Sequence, residues 1–220
     1  MAWSYSSINL FKQCPRKYYR LKVTKDVKEP FAEHLIYGNA VHKAAELYGR
    51  DDVELPEKYA YVKPYLDTLL QIEGEKLFEH KMGITEALEP CAFNDKSVWW
   101  RGIADFMVIS ENKPLATIID YKTGKSAKYA DTQQLEILSL ATFLHYPQVE
   151  TVKAALLFVV SQEFVEVKIQ AKDARTLWKK WFSDVDAMDT CQHTNVWNPK
   201  PNFTCRNHCP VMDCEHNGRS

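Results

Sequence analysis

The 220-residue chain has no run of 18 or more apolar residues, so no membrane-spanning helix is expected. Residues 1–6 (MAWSYS) lack the basic-then-apolar layout of a secretory signal, and the expected location is intracellular and cytoplasmic, with no membrane partner. In that reducing setting its six cysteines are expected as thiols or metal ligands rather than disulfides, the more so because three of them fall in the last 16 residues. Internal repeats and low-complexity segments are also missing. The chain has almost no net charge, formally −1, which argues against a uniformly basic coat for nucleic acid. With 45% hydrophobic and 26% charged residues it falls in the globular range. A chain of this length buries roughly 70 to 75% of its unfolded surface, so it needs no disulfide staples.

The charges are nevertheless segregated. Residues 1–28 hold seven Lys or Arg (Lys12, Arg16, Lys17, Arg20, Lys22, Lys25, Lys28) against Asp26 alone, whereas residues 29–91 hold 13 acids against six bases. A locally basic surface on a neutral protein can guide a polyanion over about 8–10 Å; a solvated helix face would carry the same charges. Tyr18 and Tyr19 are interleaved with Arg16, Lys17 and Arg20, a mixture suited to stacking bases and pairing phosphates of single strands, although core packing claims at least one of the two tyrosines.

Ser4, Ser6 and Ser7 ahead of Ile8, Leu10, Phe11 and Cys14 predict a capped helix, and Pro15 suits the first turn of a second one. Helical spacing resumes from Phe31 through Leu35, Val41, Ala45 and Tyr48, placing Gly38 and His42 one turn apart on one face. A third helical stretch is expected through Tyr59, Val62, Leu66, Leu69, Leu70, Glu73 and Leu77. After Pro90 the texture turns β-branched and aromatic. Strands are expected over 98–109 and 115–121 with a turn at 111–114, a helix over 133–144, strands over 153–160 and 164–168, and a last helix over 171–188. The order implies an α/β (α+β) layer around one central sheet. The expected organisation is a helical region over 1–90 with Cys14 and His42, a core over 91–190, and a cysteine-rich segment over 191–220 that packs with the N-terminal region.

Alternation along a strand puts Asp120 and Lys122 on one side, and antiparallel pairing about the 111–114 turn brings Asp105 opposite the neighbourhood of Asp120. Two close carboxylates repel unless a cation lies between them, and hard oxygen donors select Mg2+ or Mn2+. With a lysine alongside, this is equipment for hydrolysing a phosphodiester. An isolated Asp-x-Lys is also an ordinary exposed strand pair, and Asp105 could simply cap a turn.

Four motifs in order change the weight of that pattern: Gly38-Asn39-Ala40-Val41-His42, Gly102-x-x-Asp105, Asp120-Tyr121-Lys122-Thr123-Gly124 and Gln133-Gln134-Leu135. Together with an opening from Ser4 to Tyr19 that includes Cys14-Pro15, they resemble the motif series of RecB-type nucleases in the PD-(D/E)xK superfamily, over nearly the whole chain. The chain is most similar to small stand-alone members of the CRISPR-adaptation and phage exonuclease kind. The resemblance implies a central mixed sheet flanked by helices, metal carboxylates at Asp105 and Asp120, an imidazole from His42 and the backbone carbonyl of Tyr121 as further ligands. It also implies Lys122 as the catalytic lysine and Gln134 as a contact to substrate or bound water. Where such nucleases usually carry tyrosine four residues after that glutamine, this sequence has Leu138.

Cys205, Cys209 and Cys214 form a Cys-x3-Cys-x4-Cys array in a polar, turn-rich segment, and Cys14 lies far upstream. Four thiolates can hold a [4Fe-4S] cluster or a tetrahedral Zn2+, and His193, His208 and His216 keep a mixed Cys/His zinc site open. Related nucleases with a cluster resemble this arrangement, with one cysteine before the core and three after it as Cys-x2-Cys-x5-Cys; here the middle cysteine is displaced by one position. Such a group would be structural, clipping the chain ends together and anchoring the basic helices over a DNA path. Cys91 and Cys191 have no partner pattern.

The expected function is a metal-dependent exonuclease acting on DNA ends or single strands, with Arg16, Lys17, Tyr18 and Arg20 as DNA contacts. The alternative is a DNA-end-binding or recombination-accessory module with weak or partner-dependent cleavage, stabilised by zinc. Either would work with recombination or replication proteins, and the sequence leaves the oligomeric state open.

Overall fold

The computed structural model describes residues 2–29 and 32–219; Phe31, the first residue of the second helical pattern in the sequence, lies outside them. Along the chain the elements are α1 (Tyr5–Gln13), α2 (Pro15–Tyr18), α3 (Glu33–Asp51), α4 (Lys63–Leu70), β1 (Glu75–Thr85), β2 (Pro90–Cys91), β3 (Val98–Ile109), β4 (Leu115–Lys122), α5 (Gln133–His145), β5 (Thr151–Phe158), β6 (Glu163–Gln170) and α6 (Ala174–Thr194). They form two compact units, one of Met1–Ala2 with Glu33–Arg175, the other of Trp3–Ala32 with Thr176–Ser220.

The first unit is built on a six-stranded sheet in the order β2-β1-β3-β4-β5-β6. All pairs are antiparallel except β4 and β5, which run parallel through the α5 crossover, so the sheet is mixed. On one face Val41, Ala44 and Ala45 of α3 and Leu66 and Leu69 of α4 pack against Phe106, Val108, Ile119, Tyr121, Ala155 and Leu157. The opposite face receives α5, in which Leu135 and every residue from Ile137 to Thr142 are buried; a Cβ on Gly102 of β3 would touch Leu138 there. Its buried hydroxyls are satisfied locally, Ser139 donating to the Leu135 carbonyl and Thr142 to that of Leu138.

The third helix was expected to run through Leu77, and the structure corrects this. α4 ends at Leu70, and residues 75–85 form an eleven-residue strand. The break is Gly74, which has φ 131° and whose missing Cβ would collide with the Ile109 carbonyl 2.3 Å away. Glycine there admits both the turn and the close approach that start the β1–β3 ladder.

In the second unit Ser4 caps α1 in a reciprocal box with Ser7, and Pro15 opens α2. Trp3 stacks on Trp181 of α6 at 6.1 Å, and Trp197 gathers Phe11, Tyr18 and Tyr19 around it. No helix among the described residues is long and apolar enough to cross a membrane.

Candidate active site

His42 comes from α3, one turn after Gly38. A Cβ on Gly38 would stand 3.2 Å from Thr123 Oγ1, so this helix passes close to the segment that leaves β4. The strands supply acids. The β1–β3 ladder keeps one register on either side of Glu79 and Asp105, with Phe78 opposite Phe106 and His80 opposite Ala104. At Glu79 the pairing lapses and φ is 46°, a left-handed conformation that costs a non-glycine residue roughly 1–2 kcal/mol. The strand changes faces there. Phe78 packs into the α3 side of the sheet, whereas His80 meets the Tyr146 hydroxyl at the end of α5 at 3.0 Å. Glu79 is thereby aimed at the α3 side, the way bulges re-aim side chains beside active sites.

His42, Glu79 and Asp105 each bring one ligand atom within 4.8 Å of the others. Asp105 Oδ2 lies 3.3 Å from His42 Nδ1 and accepts the Tyr121 N–H at 2.8 Å, which ties the carboxylate to β4. Tyr121 itself is buried, its ring edge-on to His42 at 5.9 Å. Next along β4, Asp120 is 1% exposed. Its Oδ1 accepts from Gln134 Nε2 at 2.6 Å, and Lys122 donates to Gln134 Oε1 at 3.0 Å. Lys122 is also in ion-pair contact with Asp120 Oδ2.

The electrostatics are those of a site short of positive charge. Burial, then the charge of Asp105, pushes Asp120 up to about 6, against the opposing pull of Lys122 and His42. Burial and Asp105 likewise raise Glu79. For His42 burial acts downward, but Asp105, Asp120 and Glu79 together outweigh it and the imidazole is raised. One imidazole nitrogen and two carboxylate oxygens, from His42, Glu79 and Asp105, suit a hard divalent cation such as Mg2+ or Mn2+.

Of the residues named from sequence, His42 and Asp105 gather with Glu79, whereas Asp120, Lys122 and Gln134 form a bonded group of their own; Asp120 adds no atom to the first group, and Tyr121 joins it through its N–H to Asp105. Glu79 was missed. Its signal becomes readable once residues 75–85 are read as a strand, because the register then sets it opposite Asp105.

In the second unit Cys14, Cys205, Cys209 and Cys214 line one small cavity with Lys17, Val211 and His216. Three of the sulfurs accept N–H groups, Cys14 from Lys200 N and Cys205 from Asn202 N at 3.4 Å each, and Cys214 from Arg16 Nη1 at 3.9 Å. Such donors stabilise thiolates. A tetrahedral zinc, with Zn–S about 2.3 Å, would hold sulfurs about 3.8 Å apart; a [4Fe-4S] cluster attaches each sulfur to a different iron and so spreads them. Among the expected DNA contacts, Arg16 pairs with Glu215, Arg20 bridges Asp26 and Asp213 at 2.8 Å, Lys17 borders the cysteine cavity, and Tyr18 is 3% exposed against Phe11 and Trp197.

Residues 2–214 match the PD-(D/E)XK nuclease superfamily. No curated protein matches the chain. Among solved structures, a chain described as a "putative exonuclease" from Eubacterium rectale is 12% identical with a TM-score of 0.54, covering 94% of this chain and 86% of that one. A second, SSO0001, is 14% identical with a TM-score of 0.47, covering 98% and 86%. The match across nearly the whole length settles the class: the chain belongs to the PD-(D/E)XK nuclease superfamily. Its mixed sheet and its His, Glu and Asp donors are those of a metal-dependent nuclease.

Proposed function

We propose that the chain is a Mg2+- or Mn2+-dependent deoxyribonuclease of RecB-like type, working as an exonuclease on DNA ends or single strands. The observation that carries this reading is the meeting of His42, Glu79 and Asp105 beside the Asp120–Gln134–Lys122 ring. His42, Asp105, Asp120 and the Tyr121 carbonyl would hold the cation, with Glu79 as an added acid. When bound, the ion supplies an acidified water and a positive charge facing the phosphoryl oxygens. Lys122 then directs its ammonium at the charge that develops on the attacked phosphate. Gln134 keeps both partners in place, since its amide bonds Asp120 with one end and Lys122 with the other.

The reading includes a structural [4Fe-4S] cluster on Cys14, Cys205, Cys209 and Cys214, supported by the four cysteines lining one cavity and by the N–H groups that point at three of the sulfurs, with Zn2+ as the alternative occupant. Its loop closes residue 14 onto residue 205 and so removes much unfolded-state freedom.

The test incubates purified protein with end-labelled single- and double-stranded DNA, with Mn2+ or with chelator. Metal-dependent shortening from the ends, lost in Asp120→Ala, is the expected result. Binding without metal-dependent cleavage would instead assign the chain to a DNA-end-binding accessory role, and equal activity in Asp120→Ala would remove the site from consideration.

A further inference from the structure

The arginines of the basic N-terminal segment are matched to acids, Arg16 to Glu215 and Arg20 to Asp26 and Asp213. Two other cations are not. Lys81 of β1 and Arg101 of β3 are exposed, and among the described residues neither forms an ion pair with Asp or Glu. Both instead lie over one ring, that of Phe93 in the connection after β2, Lys81 Nζ at 5.7 Å and the Arg101 guanidinium at 5.4 Å. The nearby Asp95 is occupied by the Ser97 amide and hydroxyl, at 2.7 Å each.

Their place on the sheet gives this pair its meaning. Lys81 pairs with Ile103, and Gly83 with Arg101, so these four positions share a face. Strand alternation continues from Arg101 through Ile103 to Asp105, and from Lys81 back to Glu79. On the intervening positions the side chains go the other way: a Cβ on Gly102 would touch Leu138 of α5, and His80 bonds Tyr146. Lys81 and Arg101 therefore stand on the same side as His42, Glu79 and Asp105. At about 3.3 Å per residue, Lys81 lies about 7 Å from Glu79 and Arg101 about 13 Å from Asp105 along the strands. That is the scale of one and two nucleotide steps from a phosphate at the metal site.

We infer that Lys81 and Arg101, braced on Phe93, form a track for the sugar-phosphate backbone of the DNA strand that enters the metal site. The inference rests on the nuclease reading above and adds where the substrate lies. Arg101 offers a planar fork suited to phosphate oxygens and Lys81 a point charge. Contact with the ring restrains both side chains, which lowers the entropy lost when phosphate binds. Two such contacts orient a strand without reading its sequence.

The experiment measures binding of a fluorescent single-stranded oligonucleotide by anisotropy, in chelator so that no cleavage occurs, from 50 to 200 mM salt. Each lost phosphate contact should flatten the plot of log affinity against log salt by about 0.7. Lys81→Gln with Arg101→Gln is expected to lower the slope by about 1.4 and to weaken binding across sequences, with the melting temperature unchanged. The charge-preserving exchange of Lys81→Arg with Arg101→Lys should keep the slope, as should Lys172→Ala on an exposed turn elsewhere in this unit. A wild-type slope in the Gln double variant, or an equal loss in Lys172→Ala, overturns the track while leaving the nuclease reading standing. Absence of both binding and cleavage in the wild type overturns the two together.

Discussion

Glu79 and Asp105 face each other across β1 and β3 at the one position between Glu75 and Ile84 where the ladder stops pairing. Among the described residues Glu79 is also the one strand residue with a left-handed φ. Strain, lapse of pairing and two acids within reach of His42 coincide at a single place. The backbone there bears a cost that the sheet itself does not need, and a bound cation is what would offset both the strain and the repulsion.

Glu79→Gly should therefore separate stability from function. Glycine relieves roughly 1–2 kcal/mol of left-handed strain while adding about 0.5–1 kcal/mol of unfolded-state freedom. The metal-free variant is expected to melt at or slightly above the wild-type temperature. Its Mn2+ requirement for half-maximal activity should rise on the order of tenfold, as for loss of one supporting ligand. A lower melting point with an unchanged Mn2+ requirement would show that Glu79 supports the strand and not the ion.

The pH dependence of metal-free stability follows from the same acids. Asp120, Glu79 and His42 are all raised in the folded protein, so each binds its proton more tightly folded than unfolded. The two acids contribute fully below the unfolded carboxylate range, and the contribution of Asp120 is lost as pH rises through about 6, where it ionises without enough compensating charge; that of His42 persists to higher pH, until the raised imidazole loses its proton. A divalent cation favours the ionised forms. The rise in melting temperature on adding Mn2+ should accordingly be larger at pH 7.5 than at pH 5.0. Equal rises at both values in a scan of thermal unfolding would place the cation elsewhere.

Much of this site was legible in the sequence because it rests on short-range geometry. The turn between Ile109 and Leu115 sets the hairpin register, which brings Asp105 to Asp120, and strand alternation puts Lys122 beside Asp120. Glu79 was hidden because the apolar spacing of Tyr59, Leu66, Leu69 and Leu77 fits a helix until Gly74 is given its structural role. The charge pattern hid something different. Residues 1–28 look basic in one dimension, but Asp213 and Glu215, nearly 200 positions away, fold back onto Arg20 and Arg16. Lys81 and Arg101 lie in no basic run at all, and only the register of two strands sets them over one ring.

Lys122 and Gln134 should differ in how they fail. Lys122→Met removes the ammonium that faces the phosphate and is expected to lower kcat by on the order of 10²-fold or more, with DNA affinity little changed. Gln134→Ala removes the group that bonds both Asp120 and Lys122, and a smaller loss in kcat is expected, on the order of tenfold, with KM nearly constant. Gln134→Glu should be worse than Gln134→Ala, because it adds a negative charge against buried Asp120. Single-turnover cleavage at saturating DNA measures all three. A Gln134→Glu variant more active than Gln134→Ala would mean that the glutamine does not bridge in the working enzyme.

The cysteine centre has its own readouts. Protein purified without oxygen should contain about four irons per chain and show brown visible absorbance, whereas a zinc site would be colourless and hold one metal. Cys14→Ala and Cys209→Ala remove ligands from opposite ends of the clip, and each is expected to bleach the absorbance and lower the melting temperature by several degrees, because the folded state loses the binding energy of the group and the loop it closes. Cys91→Ala should do neither, since Cys91 belongs to the edge strand β2 and lines no part of that cavity. Arg16→Ala tests the surroundings of the centre: its guanidinium pairs with Glu215 and points at Cys214 Sγ. Removing that donor should lower the cluster's reduction potential while leaving its iron content intact, because hydrogen bonds to ligand sulfurs stabilise the more negative, reduced state. A potential indifferent to Arg16→Ala would detach that arginine from the cluster's electronics and leave it only the ion pair with Glu215.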